Sequence, residues 1–456
     1  MSRKLVVFII IALALLAIGI IKPVNISLED ENANQHEDFF IDEENEGFDE
    51  NGNLITHLPI IVIEANGEEI PGNVLYDEDV LTCGISLVDN KDEMNFSNDP
   101  NAKRYKAEIA VRDRTSAQYP KKSYDISLLN NLENPENEKL LGMPYAEHWV
   151  LDASYTDRSL FRNYMMYSLS AKFMEDIPEG RLCEVIITDE NNKPQYMGVY
   201  TLREEVEVAQ ERLSLLEGKS NNNDTSFLIY SAPNLEGETF KHLIADEFSM
   251  YPYRIEYPDE ESITPEAVKS ITSQVSRMEK LIYDGGRSGD WTEVEKEIDE
   301  DSFADYFIIN EFFQNYEVAS KFIYLKKDMN KKFEIGPAWN FEKALNNHDE
   351  IDLPYSSFNL KYSFYYLNLT QSPDFVRKTV YRYRQLRLSV LSDNVLLKYI
   401  DSCDKYISSA AKRDSLKWYG DDYAGREEDV AQMKKFVVER GKWMDENFNE
   451  TLLRTQ

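Results

Sequence analysis

Tyr119-Pro120-Lys121-Lys122-Ser123-Tyr124 is the first stretch whose residue types could do chemistry. If a strand runs through it, a side-chain period of two puts Lys122 on the apolar side with Tyr124, Ile126 and Leu128. Lys121 then falls on the polar side with Ser123, Asp125 and Ser127. A lysine on a buried face needs a carboxylate or a bound phosphate. A strand-edge lysine that snorkels to water explains the same spacing. Glu204, which ends the run Gly198-Val199-Tyr200-Thr201-Leu202-Arg203-Glu204, is a candidate partner. Farther on, Asn310 to Glu317 closes a strongly apolar segment with polar groups, and Gly336-Pro337-Ala338-Trp339-Asn340-Phe341-Glu342 sets an amide and a carboxylate beside aromatics. A carboxylate such as Glu317 can orient a hydroxyl, and Asn340 with Glu342 can hold a hard cation through oxygen. A helix cap and a loop acid explain the same residues, and on their order alone that is the simpler reading.

The elements that must gather these groups change character along the chain. Pro59 to Glu64 reads as a strand before an Asn66-Gly67 turn. Lys106 to Arg112 alternates apolar with charged residues, and Ser123 to Leu128 follows as a further strand. Cys183 to Thr188 and Tyr196 to Leu202 form a hairpin about Asn191-Asn192. One helix interrupts this β-rich half, around Leu160 to Leu169 with Thr156 or Asp157 at its start. Past about residue 264 helical spacing dominates: Ile271 to Tyr283, Phe303 to Phe313, Pro373 to Leu391, Val395 to Lys412 and Glu427 to Asn447. Between the second and third lies a small hairpin, Phe322 to Leu325 and Lys332 to Ile335. The fold class expected is α+β, in two lobes with a cleft between them. A carboxylate, a short hairpin and then a second polar pair is the order found in protein kinases, where the first acid orients the acceptor hydroxyl and the second group binds metal.

Composition sets outer bounds. The chain has 456 residues, 42% of them hydrophobic and 12% aromatic, enough to build a sizeable core. A formal net charge of -33 repels phosphate backbones, so no nucleic-acid partner is expected; cationic peptides, polyamines and divalent metals are favoured. Leu5 to Ile21 is unbroken apolar sequence between Arg3-Lys4 and Lys22-Pro23, roughly 26 Å as a helix. No small-residue cleavage signal follows it, and basic residues precede it. Residues 1–24 are therefore expected to be a signal-anchor, placing the chain as a single-pass protein of the cell membrane with its C-terminal domain outside. Residues 25–56 are acidic and are expected to be a solvated tether. Three distant cysteines and five scattered histidines argue against a disulfide framework or a His/Cys metal site, although one cysteine pair could bridge.

The ordered motifs resemble the CotH kinase family, an atypical kinase fold named for a spore-coat protein. Members typically show an R-G-N-S-S-like loop, then f-P-K-K-S-Y, D-x-S-l-l-R-N, G-x-Y-x-L-x-E, N-x-D and G-P-x-W-D-F-D. This chain has Arg112-Asp113-Arg114-Thr115-Ser116, the Lys121-Lys122 motif and Asp157-Arg158-Ser159-Leu160-Phe161-Arg162-Asn163. Gly198 to Glu204, Asn315-Tyr316-Glu317 and Gly336 to Glu342 follow. Arg413, Trp418, Arg440 and Trp443 are similar to the family's C-terminal helices. The similarity runs from about residue 57 to 447.

That resemblance implies an atypical protein-kinase-like domain over 57–450, with an N-lobe to about 215 and a C-lobe from about 216, and a nucleotide site between them. Arg112 to Ser116 would lie over the phosphates of ATP. Lys122 or Lys121 would contact them and pair with Glu204. Glu317 would stand where the family carries its catalytic-loop Asp, and Asn340 and Glu342 would serve Mg2+ or Mn2+. Phosphate would go to Ser or Thr of a protein substrate, basic and Ser/Thr-rich, associated with a spore coat or cell surface. The chain departs from the pattern at Asp113 for Gly, Glu317 for Asp and Asn340 for Asp. A pseudokinase that recruits or assembles partners is the alternative, and a hydrolase with paired carboxylates is a third class. Arg158 and Arg162, one helical turn apart, are expected to pair with nearby acids rather than to grip an anion.

Overall fold

The computed structural model describes residues 34–449 apart from 38, 40–44, 73–79, 91–92, 113–116, 210, 217–223, 236, 238, 243–249, 261, 349–352 and 421. Seven strands close into a barrel: β1 (Ile60–Glu64), β2 (Leu81–Val88), β3 (Lys103–Val111), β4 (Tyr124–Leu129), β5 (His148–Asp152), β6 (Gly180–Thr188) and β7 (Pro194–Glu204). Their order around the barrel is β7-β5-β4-β3-β2-β1-β6, antiparallel except where β1 lies parallel to β6. Alternation explains the closure. Ile61, Ile63, Ile85, Ile109, Ile126, Trp149, Leu151, Tyr200 and Leu202 fill the inside. Leu182 and Val199 point the other way and join the core of the helical lobe. β6 and β7 are thus buried on both faces, and they are the wall against which the second lobe packs.

Helix α1 (Arg162–Ser170) enters between β5 and β6. A second sheet follows, ordered β9-β10-β8-β11-β12 from β8 (Phe227–Ser231), β9 (Thr239–Phe240), β10 (Tyr253–Tyr257), β11 (Ile323–Lys327) and β12 (Phe333–Ile335). Helices α2 (Pro265–Ser288), α3 (Glu300–Phe312), α4 (Pro373–Arg387), α5 (Asp393–Tyr406), α6 (Ser408–Trp418) and α7 (Tyr423–Asn447) complete the molecule. Their starts follow local chemistry: Thr264 caps α2 ahead of Pro265, Asp299 accepts from the amides of Asp301 and Ser302 to start α3, and Ser372 caps α4 ahead of Pro373. Every residue of α3 from Phe303 to Phe312 is buried, so it runs through the centre of its lobe.

The expected β-rich half followed by a helix-rich half is present. Two expectations change. Val395 to Lys412 reads as one helix, yet the chain turns at Ile407 (φ -102°, ψ 8°) and splits into α5 and α6, with no Gly or Pro to announce the break. The solvated tether also gives way over its described part. Gln35 bonds to the backbone of Leu182 through both its amide groups, His36 packs against Tyr164 and Tyr399, and Glu46 is buried between His57 and Arg413. These contacts bury charge and aromatic surface that the acidic run hides in sequence. The apolar run Leu5–Ile21, and with it the expected signal-anchor, lies outside the described residues. Among the described residues no helix is long and apolar enough to cross a membrane.

Candidate functional site

The catalytic-type groups gather where α1, the end of β5 and the loops around α3 meet. After α3 the chain reverses through Gln314, whose φ is +46°, and delivers Asn315 to Glu317 into a short 3-10 turn (Tyr316–Ala319). Asn315 is buried; its Nδ2 donates to Asn310 Oδ1 at 3.0 Å and to the carbonyl of Asn340 at 2.7 Å. The first bond ties the turn carrying Glu317 back to α3, and the second fastens it to the segment carrying Asn340 and Glu342. Glu317 itself is paired with Lys321 at 2.7 Å, one turn on. Asn315 Oδ1 is buried and has no hydrogen-bond partner among the described residues.

Glu342 accepts a short hydrogen bond from the Thr156 hydroxyl, and the Thr156 amide reaches it at 3.3 Å. Asn347 holds the surrounding backbone by donating to the carbonyls of Thr156 and Glu342 at 3.0 and 2.7 Å. Burial first, and the neighbouring Asp152 carboxylate second, push the Glu342 pKa up to about 7. Asp152 ends β5, and Asn163 links it to the same loop. Asn163 Nδ2 donates to Asp152 Oδ2 at 2.8 Å, while the Phe341 amide donates to Asn163 Oδ1 at 2.8 Å. The Tyr167 hydroxyl donates to the Trp339 carbonyl at 2.6 Å.

A second group of charges lies alongside. Arg112 pairs with Asp125 and with Glu205, the latter at 2.6 Å. Burial alone would raise the Glu205 pKa, but Arg112 and then Arg203 override it and hold the carboxyl down at about 2. Arg203 sits over the Trp339 ring at 5.4 Å, and Trp339 meets the stacked pair Tyr230 and Tyr324 edge-on. Burial first, and the nearby charges only after it, push the Tyr167 hydroxyl well above the ordinary tyrosine range.

The lysines exchange roles relative to the sequence expectation. Strand β4 starts at Tyr124, so the period-two count does not extend back through the lysines. Lys121 is the buried one, 1% exposed, donating to Asp414 Oδ2 and to the Val199 carbonyl at 2.6 Å each. It staples the barrel to α6. Gly198, at φ +106°, makes room for this staple: a Cβ there would lie 2.2 Å from Asp414 Oδ2. Lys122 is half-buried and donates to the carbonyl of Ala117, while residues 113–116 of the expected phosphate loop lie outside the described residues. Neither lysine pairs with Glu204. That carboxylate takes Arg212 at 2.8 Å and the Glu179 amide at 2.8 Å. With Glu205, Glu207 and Glu211 it lines an open cleft of about 220 Å³. Ser116 lies outside the described residues.

Arg158 and Arg162 pair with acids as expected: Arg158 with Asp422, and Arg162 with Asp157 and Asp429. Sequence reasoning missed Asp152, Thr156, Asn163, Glu205 and Asp414 as partners. One signal was available for Asp152, because Trp149-Val150-Leu151-Asp152 is an apolar strand ending in an acid, as Gly198 to Glu204 is. The three cysteines are buried and free.

Among the described residues no group of three or more His, Cys, Asp or Glu side chains is arranged to hold a metal ion. A cation taken by one or two carboxylates and completed by phosphate oxygens, as Mg2+ commonly is, still fits the crowded Glu342–Asp152 neighbourhood. A family model described as CotH kinase protein matches residues 109–444, a span that contains Glu317, Asn340, Glu342, Asp152 and both lysines. No curated protein matches the chain.

Proposed function

Because this chain belongs to the CotH kinase protein family, we propose that it is a protein kinase that moves the terminal phosphate of ATP to Ser or Thr hydroxyl groups of a protein substrate. One observation carries the proposal: Asn315 joins the Glu317 turn to the Asn340–Glu342 segment at 2.7 Å, although the two are separated by a hairpin in sequence. In this scheme Glu317, steered by Lys321, accepts a hydrogen bond from the attacking hydroxyl and aligns it. Asn340 and Glu342 hold Mg2+ or Mn2+, which when bound neutralises charge on the transferring phosphate. Lys122 holds the Ala117 carbonyl, and the Tyr230, Tyr324 and Trp339 rings offer an apolar wall for the base. The acidic surface favours a basic, Ser/Thr-rich substrate. The apolar run Leu5–Ile21 supports tethering to a membrane with this domain outside, at a cell surface or spore coat.

A pseudokinase that assembles partners is the second reading. The pairing of Arg112 with Asp125 and Glu205, and of Glu317 with Lys321, favours it, since both leave groups for ATP or substrate already engaged. Incubation of the protein with labelled ATP, Mg2+ or Mn2+ and a basic Ser-rich peptide separates the two. Label transfer that falls at least about a hundredfold in Glu317→Gln supports the kinase. No transfer above that variant removes the kinase and leaves the pseudokinase.

A further inference from the structure

We infer that the N-terminal strap, the described residues ahead of β1, is fastened across the seam between barrel and helices by a proton-dependent clasp, which closes only when both ring nitrogens of His57 carry a proton. His57 Nε2 lies 2.7 Å from the backbone carbonyl of Tyr406, at the end of α5, and a carbonyl can only accept. Nδ1 faces Glu46 Oε1, which also takes the His57 backbone amide at 3.3 Å. Glu46 Oε2 takes Arg413 Nη1 of α6 at 3.2 Å, so both carboxylate oxygens accept. Burial alone would raise the Glu46 carboxyl; the hydrogen bond from His57, then its charge and that of Arg413, hold it below its ordinary value, in the ionised form. Two acceptors therefore meet one ring, and only the imidazolium donates to both.

Charge balance gives the same answer. Glu46, His57, Arg413 and Glu184 of β6 form one buried chain, with no side chain more than 12% exposed. Glu184 holds Arg413 at 2.7 Å and accepts from the Tyr196 hydroxyl of β7. Two carboxylates share one guanidinium, so the chain is neutral with His57 charged and holds a buried negative charge without it. Lys405 lies 5.9 Å over the Phe39 ring that stacks on His57. The Tyr406 phenol stays neutral: burial, then Asp89 and Cys183, keep it far above the ordinary tyrosine range, with Arg181 and Cys403 also acting on it. His57 leads into β1, Glu184 belongs to the barrel wall, and Tyr406 and Arg413 belong to the helices, so losing the second ring proton loosens all three from the strap. The closed strap binds a proton that the released strap gives up, and closure therefore weakens as pH rises. At the acid end the clasp lasts until pH falls through the lowered value of Glu46.

The test uses the full chain between about pH 5.5 and about pH 8.5. Hydrogen exchange of the backbone amides of residues 45–57, corrected for the intrinsic pH dependence of exchange, reports strap opening, and the nuclear magnetic resonance signals of the histidine ring nitrogens report the protons on His57. Slow exchange is expected to be lost, by at least about tenfold, in step with the second ring proton. In Glu46→Gln the amide can donate to a neutral ring as readily as it accepts from a charged one, so exchange is expected to stay within about twofold across the range. A strap that remains closed around a ring carrying one proton overturns the inference, and so does a Glu46→Gln protein whose exchange follows pH as the unaltered chain does. Should Glu46→Gln fail to fold, the ring signals and exchange of the unaltered chain decide the matter. No phosphate transfer is read, so either result leaves the kinase proposal where it stands.

Discussion

The staple between Lys121 and Asp414 and the neighbourhood of Glu342 both bury charge, and they do so in opposite ways. At the staple a cation meets an anion at 2.6 Å, the Val199 carbonyl and amide complete the set, and both side chains are 1% exposed. Around Glu342, carboxylate crowds carboxylate, and a hydroxyl and amides do the holding. A buried ion pair of opposite charges is a device for packing two lobes in one register. A crowded carboxylate with acidic neighbours costs stability while it is ionised. The same distinction separates the two adjacent lysines. Lys121 looked solvent-facing and is buried in an ion pair; Lys122 looked buried and is half-buried, bonded to the Ala117 carbonyl.

Breaking the staple is expected to have the largest effect. Lys121→Ala leaves Asp414 buried and unpaired, a loss of about 3–5 kcal/mol visible as a lower Tm or urea midpoint. Gly198→Ala attacks the same place from the other side, through its positive φ and the 2.2 Å approach to Asp414, and is expected to cost about 2–4 kcal/mol. In metal-free protein Glu342→Gln goes the other way. The native pKa near 7 lies above the ordinary glutamate value of 4.5, so the folded state binds the extra proton between those limits and stability falls as pH rises through them. The variant is then expected to be more stable than the unaltered chain at pH 8, by up to ~3 kcal/mol, with the difference vanishing below about pH 4.5. Melting curves across that range check both sign and window. Lys122→Ala sharpens the contrast at the small end: under about 1 kcal/mol in stability, with its effect read instead as weaker ATP binding. A Lys122→Ala protein as unstable as Lys121→Ala would erase the distinction.

How much of this was legible in the chain follows from range. Strands β3, β4, β6 and β7 announce themselves by alternation, and α2 to α4 by caps and periodicity, because those signals are local. The lysine parity failed because Tyr119 to Ser123 precedes the strand, and only coordinates show that β4 starts at Tyr124. Asp414 lies 293 residues from Lys121, and no local pattern points to it. Glu204 was legible as a strand-ending acid, but which of Glu204 and Glu205 meets Arg112 depends on how the chain leaves β7. Asp152 and Asn163 belong to the site only because the barrel and the helical lobe meet there. Order along the chain indicated which family of parts was present, while their partners were decided by tertiary packing.

The strap at the N-terminus has a consequence for how the molecule is handled and held. Glu46 is the shared acid for His57 and Arg413, and Gln35 completes the backbone of Leu182 at the edge of β6. What reads as a leash is a keystone: trimming it would leave Arg413 to Glu184 alone, unclasp His36 from Tyr164, and wet the seam where α5 and α6 meet the barrel.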